Sequence, residues 1–518
     1  MTEKRVLIAA LLSSVFLMWY AQMFSATQRQ RPALPATSLP SGEGPRPAPA
    51  LKPYESLLQP IIDEEVVSLE SSEIVLEIGA KTGAIHSVTL KNHKSVDKDG
   101  PVVLAGQLPI LSPLLDKEPS LAIRSTTANS VELSGTAGGE TYTLVYAFGE
   151  HPMVLNMRLT SQRTDSGETD PRRGAIGASW LRAGPMGRSE PLELVAVRGD
   201  SQKPSYAKLT APVKAGKNVP RGTFLVSLTE QYFCQSISSP YGPMEAKLLP
   251  GAEGTIPAIL ELPGEATADG TLYSAAIYMG PRDYFTMRQA GFEKAFKIGI
   301  LGQIGIILVV VLEWISGVTR NYGVGIILLS ALLNGLVAPF TLLGMRSMRR
   351  MQELKPKMDR IMAQHKDDPK KANVQVMALY KEHRVSPLGG CLPMLVQIPL
   401  FIALYQAINH LVGLRGASFL WVRDLSLPDR AFQLPISLPF IGEWVNVLPL
   451  LMSVAMYWQT KLSQQSMPAG DANPTAKMMS GPLMPLIFGL MLYHFPSGLV
   501  LYWMTNSLMS VALYRLAK

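Results

Sequence analysis

Two hydrophobic rhythms divide the chain. From about residue 66 to residue 290, apolar side chains recur at every second position in short runs. "EIVLEIG" sets Ile74, Leu76 and Ile78 on one side; "YTLVYAF" does so with Tyr142, Leu144, Tyr146 and Phe148, and "MVLNMRL" with Met153, Leu155, Met157 and Leu159. A period of two is that of a half-buried strand. Gly, Pro and Asp punctuate these runs to about Met279, so residues 66–290 are expected to form an all-β, sandwich-like domain. Beyond them come long, nearly unbroken apolar runs of the length a bilayer demands.

One more such run, Val6–Phe24, follows Lys4 and Arg5 and ends in aromatics, as a first transmembrane helix with its N-terminus inside would. A cleaved signal peptide with "FSA" as its cleavage site is the rival reading. The apolar run is longer than a usual signal core, which favours an uncleaved anchor over residues 1–24. Residues 25–65 hold a proline-rich linker, with eight prolines between Thr27 and Pro60, too poor in apolar residues to bury a core. Phe296–Val318 is apolar enough to span but is interrupted by Gln303 and Glu313. Were it and Gly323–Gly344 both spans, the basic loop from Arg346 would face outward, against the charge rule. Residues 291–320 are therefore expected to form an amphipathic helix at the outer interface. The remaining spans are expected at 323–344, 388–411, 436–458, 481–495 and 498–515, six transmembrane helices with the anchor.

The formal charge of +8 invites a nucleic-acid reading, but its placement argues against one. Between Arg346 and Arg384 eleven Lys or Arg face five Asp or Glu, in a stretch lying between two apolar spans. That is a cytoplasmic loop held inside by its charge. Met351, Leu354, Met358 and Ile361 recur at helical spacing, and Asp367, Asp368 and Pro369 break the run before a second one through Met377 and Tyr380. Residues 345–387 thus predict a basic helical hairpin. Arg415, Arg423 and Arg430 fall in an external loop, partly balanced by Asp424 and Asp429. The two cysteines, Cys234 and Cys391, fall in different regions, so no disulfide framework is expected. No metal-ligand cluster, phosphate loop or nucleophile elbow stands out. His86, His93 and Cys234 read as structural or surface positions, and His410 and His494 as interfacial packing residues.

Two segments carry a resemblance. "SPLGGCLPMLVQIPLFIALYQ" (Ser386–Gln406) and "FPSGLVLYWMTNSL" (Phe495–Leu508) resemble the YidC membrane-protein insertases, with support from "NYGVGIILL" and "LKPKM". The match covers residues 320–518; the anchor, linker and large external β domain look like the Gram-negative form. The resemblance implies a bacterial inner-membrane protein with a cytoplasmic N-terminus, a periplasmic β domain and a five-helix insertase core within residues 321–518. It implies a hydrophilic groove, open to cytoplasm and lipid and closed outside, through which newly made inner-membrane proteins are inserted and helped to fold. No covalent chemistry, ATP, cofactor or metal is implied. Implied partners are nascent membrane-protein clients and lipids, with the Sec translocon, the ribosome and the signal recognition particle beside them, around a core able to act as a monomer. The basic hairpin would be a mobile lid receiving clients, with Arg346, Arg349, Arg350, Lys355 and Lys357 as its contacts.

Read physically, the spans carry polar residues suited to such a groove. Ser330 and Asn334 are spaced i, i+4 and share a helix face, as do Tyr502, Asn506 and Ser510. Gln397 lies between Pro393 and Pro399, which disturb the backbone ladder. The alternative use of such residues is hydrogen bonding between helices, typically worth about 1 kcal/mol or less. One position departs from the family pattern: where many members resembling this chain carry an arginine, this one has Asn334. The nearest following basic residue, Arg346, is twelve residues on, about 18 Å along a helix. Charge attraction of acidic client tails is thereby put in doubt. A transporter would need repeated halves, and a membrane enzyme would need a nucleophile or acid–base pair at depth; neither is visible. A β domain that binds carbohydrate or peptide, with the spans as its anchor, is a further rival.

Overall fold

The computed structural model describes residues 63–94, 100–105, 109–114, 119–163, 174–181, 192–198, 205–209, 219, 222–248, 255–267, 270–296, 300–365, 368–383, 392–438, 441–464 and 483–516. The expected anchor over 1–24, nearly all of the linker and Cys391 lie outside these residues.

The alternating segments form strands of two facing sheets, eight- and ten-stranded among the described residues. In the larger sheet, Val154–Arg163 lies between Glu140–Phe148 and Gly270–Pro281, antiparallel to both. Leu144 sits opposite Leu159, Tyr146 opposite Met157, and Ile277 opposite Leu155, so one face is apolar throughout. The smaller sheet answers with Ile74, Leu76, Val88 and Leu90 from the paired strands Ile74–Gly79 and Ile85–Lys94. All ten of the side chains named for these two faces, Tyr146 among them, are buried, and each contributes roughly 1.5–3 kcal/mol by leaving water. Tyr146 keeps its hydroxyl satisfied by donating to Gly83 O at 2.8 Å, across the sandwich. Gly83 turns between the two smaller-sheet strands at φ +66°, a region that costs residues with a Cβ.

A short helix, α1 (Tyr284–Gln289), follows the last strand; Asp283 caps it by accepting from Thr286 N at 2.8 Å. Met287, Phe292 and Ala295 bury themselves in the sandwich core, fixing the exit of the chain toward the helices. These are α2 (Ile300–Thr319), α3 (Tyr322–Glu353), α4 (Lys355–Gln364), α5 (Pro369–Glu382), α6 (Leu392–His410), α7 (Val447–Gln464), α8 (Met484–Met491) and α9 (Ser497–Leu516). Tyr322–Pro339 is, among the described residues, the helical stretch long and apolar enough to cross a bilayer. α2 packs against α3 and α6, and α9 against α3 and α7. Phe401 of α6 stacks edge-on against Trp503 of α9 at 4.8 Å between centroids, and Phe488 of α8 lies 5.6 Å from the same indole.

Three expected boundaries differ. The helix expected at 323–344 runs on to Glu353, so Arg346, Arg349 and Arg350 extend α3 instead of opening the hairpin; the run "MRSMRRMQE" holds good helix formers and no breaker. Residues 436–446 are not the start of a span. They belong to a β-hairpin, Phe432–Leu438 paired with Gly442–Val445, because Pro435, Pro439 and Gly442 oppose a helix there. Among its described residues, the apolar stretch 481–495 supplies eight α-helical ones, Met484–Met491. The break in the basic hairpin is as expected: Asp368 accepts from Lys370 N and Lys371 N, with Pro369 at the first helical position.

The segment between α6 and α7 ties one end of the bundle together. Asp424 and Asp429 are buried there and serve backbone and indole donors. Asp429 accepts from Leu448 N at 2.6 Å, at the start of α7, and from Trp421 Nε1 at 2.8 Å. Its charge faces the positive end of that helix. Asp424 accepts from Ser426 N and Ser426 Oγ. The "FPSG" turn delivers its N–H groups to this loop: Ser497 N reaches Leu427 O and Gly498 N reaches Leu425 O, both at 2.8 Å. These orphan donors at the start of α9 are thereby satisfied. A Cβ at position 498 would stand 3.2 Å from Leu425 O, which favours glycine. The same segment meets the β domain: Gln231 Nε2 donates to Asn409 O at 3.0 Å, and the Arg415 guanidinium lies 5.3 Å from the centre of the Phe233 ring.

Two expectations follow. Cys234 is fully buried beside Met287 Sδ, 3.9 Å away, and burial pushes its thiol up to about 12. At pH 8 only about one molecule in ten thousand carries the reactive thiolate. In a Cys391→Ser protein, iodoacetamide labelling should therefore wait on opening of the β domain; rapid labelling of the folded protein would contradict this packing. Second, Asp429→Ala removes a charged acceptor from two donors and should cost about 3 kcal/mol, with Asp429→Asn costing less. Thermal unfolding midpoints in detergent test this order.

Candidate functional site

The helix bundle is packed unevenly along its length. Near the end tied by residues 411–431, Ile326 and Leu329 of α3, Leu404 and Ile408 of α6, Met452 of α7 and Leu501 of α9 are all buried in one cluster. Toward the other end, where α4 and α5 attach, the described apolar side chains turn outward: Leu336 is 71% exposed, and Ile398, Val454, Trp458 and Leu508 are exposed too. Sequence position explains the change. In α3 the packed apolar cluster ends at Leu333, with Asn334 and Gly335 next in the chain. One half of the bundle is thus closed by apolar packing; the other half, in its described residues, is not.

Polar residues sit at the boundary. Ser330 is fully buried and donates to Ile326 O at 2.7 Å. Asn334, half-buried, donates through Nδ2 to Ser330 O at 2.8 Å. In α9, Thr505 Oγ1 donates to Leu501 O at 2.8 Å and Ser510 Oγ to Asn506 O at 2.9 Å. Ser330, Thr505 and Ser510 each place their hydroxyl proton on their own helix one turn back, and Asn334 places one of its two amide protons there, the local bond that small polar residues make readily. They are therefore neither bridges between helices nor unpaired donors. Their oxygens keep acceptor capacity toward whatever occupies the space beside them. Gln397 and Tyr502 are different: Gln397 Nε2 donates to Tyr502 Oη at 2.9 Å, joining α6 to α9.

The six residues expected to line a groove thus divide. Ser330 and Tyr502 lie inside the packed part, Asn506 is nearly buried, and Asn334, Gln397 and Ser510 are half-exposed at its margin. Sequence reasoning passed over Thr505 and Ser507, which are buried beside them. Ser507 Oγ has no hydrogen-bond partner among the described residues. Their spacing from Asn506 was readable, but their burial depends on α9 crossing α3 and α7. Of the expected hairpin contacts, Arg350 and Lys357 are exposed, with Lys357 Nζ 3.2 Å from His383 Nε2. The backbone of Arg346 and Arg349 lies in α3 and that of Lys355 opens α4. Met362, Val374 and Met377 add an exposed apolar surface to this hairpin. Among the described residues no His, Cys, Asp and Glu group could hold a metal.

The helical part of the chain finds parallels among known proteins. A family model described as 60Kd inner membrane protein matches residues 314–517. The membrane protein insertase YidC of Pelobacter propionicus is 29% identical, with 98% of each chain aligned. That of Syntrophobacter fumaroxidans is 40% identical over 46% of this chain and 42% of its own. A crystal structure of an active YidC insertase with its first transmembrane domain resolved aligns over 88% of this chain and 93% of its own, at 16% identity and a TM-score of 0.38. From the sequence relatives, which extend across the β domain as well as the helices, this chain belongs to the YidC family of membrane protein insertases.

Proposed function

We propose that this protein inserts newly made membrane proteins into the bilayer through the loosely packed half of its helix bundle. The observation that carries this reading is the position of Asn334, Gln397 and Ser510 where the apolar packing ends. With the β domain periplasmic, the packed half closes the outside and the other half opens to the cytoplasm and to lipid. Six spans, counting the segment 1–24, give the orientation that the basic hairpin requires, with α2 lying at the outer interface.

The physical task is to move a client's polar tail. Each unpaired polar group taken into hydrocarbon costs several kcal/mol. A wet recess that reaches part-way across the bilayer lets the tail keep its hydrogen bonds and shortens the remaining barrier. Acceptor oxygens on side chains whose donors bond within their own helix, as at Asn334 and Ser510, receive a client N–H or a water without first breaking an interhelical bond. The client's apolar segment then leaves sideways into lipid by the hydrophobic effect. No bond is made or cleaved, and no ATP, cofactor or metal enters. With a neutral amide at position 334, hydration does the work that a groove charge would otherwise share.

The exposed Met362, Val374 and Met377, beside the basic face of Arg350 and Lys357, suit the hairpin to meeting apolar clients as they emerge. The Sec translocon, the ribosome and the signal recognition particle are partners this placement accommodates. Reconstituted vesicles test the groove. Asn334→Ala should retain most insertion of a single-span client, whereas Asn334→Ala with Gln397→Leu and Asn506→Leu should slow it about tenfold, about 1.4 kcal/mol of barrier. Abolition by Asn334→Ala alone would refute reliance on hydration, and full activity of the triple variant would refute the groove.

A further inference from the structure

The segment that ties the bundle together also carries two apolar projections that none of the preceding mechanism uses. The first is the tight turn Phe419–Val422, whose ends are bridged and whose tip is Leu420 and Trp421. Leu420 sits at φ +50° with 75% of its surface exposed. A bulky residue in that conformation is an outlier, so backbone strain is being tolerated to present a leucine outward. The second is the hairpin Phe432–Val445. Its first strand alternates apolar Phe432, Leu434, Ile436 and Leu438 with Gln433, Pro435 and Ser437, and its pairing with Gly442–Val445 shifts between Gln433 and Leu438. Phe432, Ile436 and Leu438 are exposed, and Glu443 is the one charged residue between Ala431 and Asn446.

Both projections are rooted where helices end. α6 stops at His410 and α7 starts at Val447, while Asp429 and Asn446 pin the intervening loop by bonds to Leu448 N, Trp421 Nε1 and Arg430 N. In a family of inner-membrane proteins, a loop held at two helix ends stands at the bilayer surface. A seven-residue strand extends about 23 Å, enough to reach from the helix ends into the acyl boundary. The apolar row is flanked by exposed Arg423 and Arg430, a basic rim that suits anionic headgroups while the row itself enters the acyl boundary.

We propose that Leu420, Ile436 and Leu438 form a lipid anchor that seats this loop in the outer leaflet. Ser437, in the other register of the first strand, faces water. The anchor would hold the packed end of the bundle at a fixed depth, so that the open half meets the opposite leaflet.

The test uses the full chain with Cys234 and Cys391 replaced, reconstituted in phosphatidylethanolamine–phosphatidylglycerol vesicles. A nitrobenzoxadiazole label is placed at Ile436→Cys or, on the other register, at Ser437→Cys. The anchor predicts blue-shifted emission at position 436, quenched by lipids spin-labelled near the headgroup and untouched by iodide, with iodide quenching at 437. Iodide quenching at both positions would place the hairpin in water and overturn the proposal. Failure of either quencher to reach position 436 would mean a protein covers it, a second copy or a partner, and would overturn it equally. Equal lipid quenching at both positions would refute the one-sided anchor.

Discussion

A polar group at membrane depth must find a partner or remain in contact with water, and the helical half of this protein is organised around that constraint. At one end, every feature serves closure. Buried Asp429 satisfies the start of α7, the "FPSG" turn hands its N–H groups to loop carbonyls, and Leu329, Leu404 and Leu501 fill the space between helices. Replacing any of these with an unpaired group would expose the cost that the arrangement avoids. At the other end the packing stops, and Asn334 and Ser510 there bond back onto their own helices while Gln397 reaches Tyr502. A recess built this way would stay hydrated without destabilising the helices that form it.

The large β domain is joined to that closed end and not suspended apart from it. Gln231 reaches the carbonyl of Asn409, and Arg415 lies over Phe233, whose ring meets His93 edge-on at 5.6 Å. Burial holds the His93 imidazole below its usual pKa, and Arg415 lowers it further while Glu73 opposes both. The contact therefore relies on a neutral histidine beside a fixed cation. Through these contacts the β domain touches the end of the bundle that the loop ties together.

Much of this was legible in the chain, and the failures have physical causes. Period-two runs such as Met153–Leu159 named buried strand faces correctly, because one face of a sandwich strand must be apolar. Asp368 with Pro369 announced a helix start by local chemistry alone. The hairpin at 432–445 was misread as the beginning of a span because hydropathy averages over position; the alternation of Phe432, Leu434, Ile436 and Leu438 was present in the letters. Asp424 and Asp429 were read as counter-charges to nearby arginines. Their actual partners include the N-terminus of a helix and a distant indole, which sequence proximity does not reveal. Ser330 and Asn334 were placed on one face correctly, yet only the fold distinguishes the buried serine from the amide at the edge of the packing.

The central claim is that clients pass the open half and never the packed half. A photo-crosslinking amino acid at Asn334, with a second protein carrying it at Leu404, would be challenged with ribosome-bound single-span clients of increasing length. The claim predicts client adducts at Asn334 that appear as the apolar segment emerges and vanish on its release into lipid, with none at Leu404. Adducts at Asn334 only to the protein's own helices, at every client length, would contradict it.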